Sequence, residues 1–411
     1  MIGARFVILT LLVFLAGGWA RRFGRVPLGA YFAAGLVTVT LEMMVLAVMG
    51  VRWNVFVLLA VPVAGLLGYW FAKSRSLSNP ATQEPSNQKP YLAIALLALI
   101  VFASAVLSAS VTSGDFVFFW GSKAQRFGSE RMLDTQFLRV PEHNVMHPDY
   151  PPLVPLYYAW TMLGAAELDW FGAMASAILF LALATAAVSG FTRDHRFSAL
   201  FASMFALLCM RNSVAGNAEP ALLFFEAVAL GALLARNDGV AAIALAGAAL
   251  TKIEGSVFVI LAIALLGRRW RVALVPLVTL AAWLLFAKTH GLLDSYVPRE
   301  ELSMRYLLPS IGQLARELSF GLWYAPWIAL ALLVFLGNAR RALPYAAAAL
   351  AFLGFMAVIY ARPEAHMEWS AQRVLMTPLV FSLFGAIAAQ NGRAVTQSRG
   401  LAALPRDRET A

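Results

Sequence analysis

Charge is scarce in this chain. Asp, Glu, Lys and Arg together make up 13% of its 411 residues, against about a quarter in ordinary soluble domains. Hydrophobic residues make up 61%, and the mean hydropathy is +0.72. No water-soluble fold of this size hides that much apolar surface, so the sequence predicts a chain dissolved in a bilayer. Cysteine is nearly absent. Cys209 stands alone inside an apolar run, which excludes an intramolecular disulfide and any cysteine-rich metal site. The five histidines are scattered at 143, 147, 195, 290 and 366, with no zinc-ligand spacing. A P-loop, GxGxxG after a strand, GxSxG and HExxH are all missing. Phosphate-loop ATPases, dinucleotide enzymes, elbow-type serine hydrolases and zincins therefore have no support. Neither strand alternation nor an internal repeat stands out.

What is present is a succession of apolar runs, near 6–20, 27–50, 54–72, 91–112, 170–190, 197–214, 219–235, 238–252, 254–267, 271–288, 323–337, 343–361 and 372–390. Each is long enough, or nearly so, to cross a hydrocarbon core. The expected fold class is all-α: a polytopic membrane protein with about 13 transmembrane helices. Arg5 ahead of the first run and Ala16-Gly17-Gly18 at its end have the look of a signal peptide. Arg21 and Arg22 follow at once, however, so the run reads as a retained helix.

The net charge of +10 would suggest nucleic acid in a soluble protein; here it reads as basic cytoplasmic loops, with no nucleic-acid partner. Arg21/Arg22/Arg25, Lys73/Arg75/Lys89, Arg193/Arg196, Arg268/Arg269/Arg271, Arg340/Arg341 and the tail from Arg393 to Arg408 all fall on one side if each run crosses once. That side carries 18 basic and 5 acidic residues, the rest of the chain 14 and 17. The asymmetry orients the chain in an inner, cytoplasmic membrane with its functional face on the periplasmic or extracellular side. The stretch 152–166 is apolar but short and begins at Pro151-Pro152. A crossing there would flip Arg193 and Arg196, so it reads as a partial or surface helix. The polar segment 73–90, rich in Ser, Asn and Pro, is a linker. It separates an N-terminal set of helices (1–90) from the main transmembrane unit (91–390), and 391–411 is a basic cytoplasmic tail.

Two long outer segments remain, near 113–151 and 289–322, where functional loops are expected. Two residues separate Asp115 from the end of the fourth run. From Phe116 the pattern is amphipathic: Phe116, Phe119, Trp120 and Phe127 share one face, with Lys123, Arg126 and Glu130 on another. Such a helix is expected to lie flat in the interface, with its aromatics in lipid and its cations near headgroups. Asp115 either caps that helix or presents its carboxylate to a substrate, or does both. Further on, His147-Pro148-Asp149-Tyr150-Pro151-Pro152-Leu153 sets an imidazole, a carboxylate and a phenol beside a rigid turn. Glu219 opens a helix in Asn217-Ala218-Glu219-Pro220, where the dipole alone would favour a carboxylate. Glu226 lies seven residues on, on the same helical face as Glu219, and Glu42 lies mid-run; intramembrane carboxylates are candidate functional groups by default. Lys252 and Glu254 flank a break between two half-length runs, where a salt bridge is the plain reading. Arg299, Arg305 and Arg373 add outer positive charge, while Glu300, Glu301, Glu364, His366 and Glu368 make these outer segments mixed in sign.

In order along the chain these features resemble the GT-C superfamily of polytopic glycosyltransferases. They comprise Asp115 after an early run, the helix with Trp120 and Lys123-Ala124, the HPDYPPL run, the Ala-Glu-Pro turn and the LTKIEG segment from Leu250 to Gly255. The likeness is to bacterial members related to the mannosyl- and aminoarabinose-transferases, and it covers roughly residues 91–390. It implies a donor sugar on a polyprenyl phosphate and a glycan, lipid or protein acceptor. Asp115 would be the general base or a metal-assisted acceptor binder, and Glu219, His147 and Asp149 would be associated with the acceptor or a metal. It further implies donor-phosphate contacts from Lys123, Lys252, Arg299, Arg305 or Arg373, and a divalent cation, Mg or Mn, at Asp115 and Glu219. Two departures stand out: three extra helices precede Asp115, and no soluble C-terminal domain follows. A transporter or flippase of lipid-linked sugars is the main rival; Glu42, Glu226 and the broken pair at 252–254 fit it in part, but no repeat does. An envelope-polysaccharide polymerase or ligase would gather Arg and His in one late outer loop, whereas here the early loop holds most of the features.

Overall fold

The computed structural model describes residues 2–75, 88–109, 114–161, 163, 170–211, 215–267, 269–292, 303–319, 321–361 and 365–402. Among these residues the chain is helical, with no strand. In order the helices are α1 (Ile2–Ala16), α2 (Leu28–Val48), α3 (Val55–Leu58), α4 (Ala60–Arg75), α5 (Lys89–Ala109), α6 (Gly121–Glu130), α7 (Thr135–Leu138), α8 (Leu153–Thr161), α9 (Trp170–Thr192) and α10 (His195–Arg211). They continue with α11 (Glu219–Leu234), α12 (Asp238–Ala249), α13 (Ile253–Ala264), α14 (Leu274–Thr289), α15 (Leu307–Leu318), α16 (Gly321–Phe335), α17 (Ala339–Ile359), α18 (Ala365–Val374) and α19 (Met376–Ala402).

Each apolar run of the sequence contains a helix, and among the described residues six spans are long and apolar enough to cross a membrane. These are α2, α5, α9, α14 with its leading turn from Trp270, α17, and Ser370–Asn391 across α18 and α19. The others are shorter. The 12 residues each of α12 and α13 rise about 18 Å, well under the ~30 Å of a hydrocarbon core. By length and composition, six helices among the described residues qualify as crossings.

A helix that is apolar all round needs apolar surroundings on every side, and the helices find them differently. α11 buries every residue from Glu219 to Leu233 against α9, α12 and α19. In α5 only 17% of the span is buried, against 83% in Ser370–Asn391. α5 thus presents Leu92, Ile94, Leu97 and Ile100 outward, the surface a bilayer would cover. The N-terminal helices are joined to the centre. Phe32 of α2 meets Tyr157, Phe180 and Phe224 with ring centroids 5.8–6.3 Å apart, tying α2 to α8, α9 and α11. α1 and α2 touch backbone to backbone, since a Cβ on Gly35 would run into the Val13 carbonyl and one on Gly17 into that of Tyr31. Small residues allow this approach.

The segment after Pro151-Pro152 is not a surface helix. α8 is short, as its length implies, but every residue from Leu153 to Thr161 is buried. LVPLYYAWT has no polar face to offer water, so the helix is enclosed between α6, α2 and α1. Trp160 donates to the Leu9 carbonyl at 3.0 Å.

Polar contacts sort the bundle into two ends. At one, Asn237 donates to the Phe23 carbonyl at 3.2 Å, Arg269 pairs with Asp238 at 2.8 Å and the His195 amide donates to Gln88 at 3.2 Å. This is the end of the basic clusters around Arg22, Arg193 and Arg236. At the other, the Leu153 amide donates to the Leu250 carbonyl at 3.0 Å, the Trp53 amide to Arg131 at 2.6 Å and the Ser303 amide to Ala361 at 2.9 Å. The candidate residues lie at this second end.

Candidate functional site

α6 begins from a π-helical turn, Phe116–Trp120, with Asp115 immediately before it. The periodic aromatic face is there, but it points inward. Phe116, Trp120 and Phe127 are buried, and Phe118 is the exposed ring. The expectation of aromatics in lipid is thus corrected: α8 offers an apolar surface of its own, and Phe116 packs edge-on against Tyr158 at 5.5 Å. Gly216 makes room for this contact. It sits at φ +86, and a Cβ there would collide with the Phe116 ring.

Asp115 does not cap the helix it precedes; its backbone is helical and its side chain makes no capping bond. Instead its carboxylate accepts from the guanidinium of Arg373 on α18. Arg373 reaches further, its Nε lying 3.7 Å from Glu219 Oε1. Glu219, the first residue of α11, also pairs with Lys252 Nζ at 2.8 Å. Lys252 stands in extended backbone between α12 and α13 and pairs at 2.9 Å with Glu254 in the first turn of α13. Tyr360, at the end of α17, donates to Glu254 Oε1 at 3.1 Å. The result is one continuous chain of charge: Asp115, Arg373, Glu219, Lys252, Glu254. It draws on α18, α11 and α13, the break between α12 and α13, and the stretch before α6.

Burial is graded along this chain. Lys252, Glu219 and Glu254 are 8%, 5% and 8% exposed, whereas Arg373 and Asp115 are 23% and 28% exposed. The Lys252 end is sealed and the Asp115 end is open. Three carboxylates face two cations, so charge alone does not close the set. Glu219 Oε2 and Glu254 Oε2 are buried with no hydrogen-bond partner among the described residues. Such atoms are costly to leave unmet and mark where a polar ligand or water would bind.

The HPDYPP loop lies alongside. His147 has φ 51, its carbonyl accepts from the Tyr150 amide at 3.1 Å, and the two rings stack at 4.5 Å. Lys123 Nζ donates to the His147 carbonyl at 3.1 Å and sits 4.9 Å over the Trp120 ring. Trp283 holds the Asp149 carbonyl at 3.1 Å. Burial pushes the Lys123 ammonium down to about 7, with nearby Asp149 opposing the shift. The Tyr150 phenol is held well above its usual range, first by burial and then by the negative field of Tyr360, Glu254 and Asp149.

Of the residues singled out from sequence, Asp115, Glu219, Lys252 and Arg373 meet in one cluster. Lys123, His147 and Asp149 form the adjoining wall. Arg305 is exposed and stacks on its neighbour Tyr306 at 4.5 Å. Arg299 lies outside the described residues, as do Glu300, Glu301 and Glu364. Glu254 and Tyr360 are the additions. Glu254 reads from sequence as a plain partner of Lys252, and Tyr360 carries no signal beyond its place at the end of an apolar run. No group of three or more His, Cys, Asp or Glu side chains placed to hold a metal occurs among the described residues. Arg373 lies between Asp115 and Glu219, so that pair does not fit a shared divalent ion unless the guanidinium moves away. Compared with known proteins, the chain matches no family model, no curated protein and no solved structure, and its chemistry rests on the geometry of these side chains.

Proposed function

We propose that the chain is a membrane glycosyltransferase that moves a sugar from a polyprenyl-phosphate-linked donor to an acceptor hydroxyl, with inversion at the anomeric carbon. The carrying observation is the junction of Asp115 and Arg373 at the open end of a buried ion cluster. A hydroxyl is a weak nucleophile and needs a carboxylate within hydrogen-bond reach; Asp115 is the most exposed acid of the cluster. A lipid phosphate held at a membrane surface needs fixed cations, and a guanidinium binds phosphate through paired N–H donors. Arg373 is that group here, with Lys252 behind it.

In the reaction Asp115 takes the acceptor's proton and the acceptor oxygen bonds to the anomeric carbon. The bond from that carbon to the phosphate oxygen breaks, and the lipid monophosphate leaves with the extra negative charge. Arg373 supplies the positive charge that this departure needs, so no step is routed through a divalent ion. Glu219 anchors Arg373 and Lys252, and the His147–Asp149 wall lines the acceptor side. The same reading places the chain in the inner membrane, with the thirteen helical runs alternating across it and the cluster on the outer face. Alternation of the basic clusters and the site residues between opposite ends of the bundle supports that arrangement.

The test is binding of undecaprenyl phosphate to purified protein, wild type beside Asp115→Asn, followed by transfer from a panel of polyprenyl-phosphate sugars. Lipid bound by both, with transfer lost in the variant, supports the reading; no lipid-phosphate binding by either overturns it. One observation favours the transporter reading instead. Glu226 is fully buried in α11, bonded by Thr377 at 2.6 Å, with its other oxygen unpartnered among the described residues. Glu226→Gln blocking substrate movement, with no transfer detectable in wild type, would turn the conclusion to it.

A further inference from the structure

We infer that Arg373 is shared in turn between Asp115 and the donor phosphate, so that the general base is uncovered only when the donor is in place. This rests on the proposed function and deepens it. In the structure as it stands one of the two oxygens of Asp115, Oδ2, is taken by the Arg373 guanidinium. A carboxylate engaged in this way cannot also accept an acceptor hydroxyl at the same oxygen. For the acceptor hydroxyl to reach that oxygen, the pair must open during the reaction.

The geometry makes opening at the Asp115 side the natural movement. Arg373 has two carboxylate neighbours of unequal standing. Glu219 is 5% exposed and is fixed by Lys252, while Asp115 is 28% exposed and has Arg373 as its ion-pair partner. The guanidinium carries five N–H donors in a rigid fork, so it can keep Nε near Glu219 and turn its outer nitrogens from one anion to another. A phosphodiester presents two non-bridging oxygens sharing one negative charge, in the spacing that this fork fits, and such bidentate bonds are the strong ones. The arriving phosphate therefore competes with Asp115 for the outer face of Arg373, and the anchored inner face keeps the cation in the site.

The exchange also follows the charge through the reaction. When Asp115 takes the acceptor's proton, the negative charge it loses reappears on the departing lipid monophosphate. Arg373 is then already on the group that gains it. Once the lipid leaves and Asp115 gives up its proton, the original pair reforms and the base is masked again. With no donor bound, a water or stray hydroxyl meets a carboxylate that is already engaged.

The test uses undecaprenyl phosphate as the probe and compares wild type, Asp115→Asn, Arg373→Gln and the double variant in lipid nanodiscs. Sharing predicts that Asp115→Asn binds the probe about tenfold more tightly than wild type, because the competing anion is gone, while Arg373→Gln binds about tenfold more weakly. The double variant should bind like Arg373→Gln, since Asp115 acts only through Arg373. Equal binding by wild type and Asp115→Asn, with Arg373→Gln weakened, overturns the sharing but leaves the lipid-phosphate site standing. A gain from Asp115→Asn that persists without Arg373 also overturns it, as simple relief of negative charge. Absence of binding by every form overturns the proposed function itself. Asp115→Ser makes the same comparison if the amide variant folds poorly.

Discussion

Removing Lys252 should be far more damaging than removing any surface cation of this chain. Its ammonium lies 2.8 Å from Glu219 and 2.9 Å from Glu254, and none of the three side chains is more than 8% exposed. Much of the attraction in such a triad only offsets the cost of taking the charges out of water. The loss on substitution is different in kind, because two carboxylates are then left side by side with no cation between them. Breaking a buried pair in this way costs about 3–5 kcal/mol. Lys252→Met keeps most of the volume and removes the charge, so unfolding of that variant in detergent reads the electrostatic part. Arg269→Ala is the comparison; its pair with Asp238 is 31% and 48% exposed, and exposed pairs contribute at most about 1 kcal/mol. Combining Lys252→Met with Glu219→Gln and Glu254→Gln should restore much of the stability, since no unpaired charge remains. If Lys252→Met destabilises no more than Arg269→Ala, water reaches the cluster and the graded burial that underlies the site is wrong.

Other outcomes follow from the same contacts. Asp115→Asn should lower transfer at least about a hundredfold with unfolding temperature little changed; near-normal turnover would remove Asp115 as base. Lys123 gives a pH dependence of definite sign. Its folded value lies near 7 and its ordinary value is 10.5, so between these the unfolded chain binds more protons and stability should rise with pH. Lys123→Met should flatten that rise, and identical slopes in the two proteins would refute the assignment. Trp283→Phe deletes the donor to the Asp149 carbonyl and should cost about 1 kcal/mol, with weaker acceptor use; unchanged kinetics would detach the HPDYPP wall from the site. Gly216→Ala meets both a left-handed backbone and the Phe116 ring, so it should disturb Asp115 through its neighbour and depress transfer more than stability. An Ala variant equal to wild type in both would show that the turn gives way freely.

The sequence makes the ingredients visible and hides their pairing. Asp115, Glu219, Lys252 and Arg373 each stand out as a charge at the end of an apolar run. The bond between Asp115 and Arg373 joins positions 258 residues apart, and nothing in local pattern announces it. The aromatic period of Phe116, Trp120 and Phe127 gives the correct face of α6 but not its direction. Lipid and the buried surface of α8 are equally apolar, so periodicity cannot tell them apart. The same ambiguity hides α8. A short apolar run without polar residues reads as partial or superficial when counted against bilayer thickness, yet it is enclosed because other helices supply the apolar surroundings. Tyr360 is invisible for another reason: its role depends on Glu254 reaching it from a different helix.

The gradient of exposure along the cluster has a consequence for how a lipid would arrive, on the proposed reading. At the sealed end Lys252 and Glu254 are 8% exposed and Tyr360 donates to Glu254. The open end is Asp115, which lies shortly after α5 in the chain. α5 is the span least covered by the rest of the protein, at 17% buried. A donor diffusing in the membrane would therefore meet the outward face of α5 first and come upon Arg373 next, while Lys252 and Glu219 stay out of its direct path. That order makes Arg373 the contact that recognises the phosphate and Lys252 the charge that holds the receiving site together. Arg373→Gln should then act mainly on lipid binding, and Lys252→Met mainly on stability.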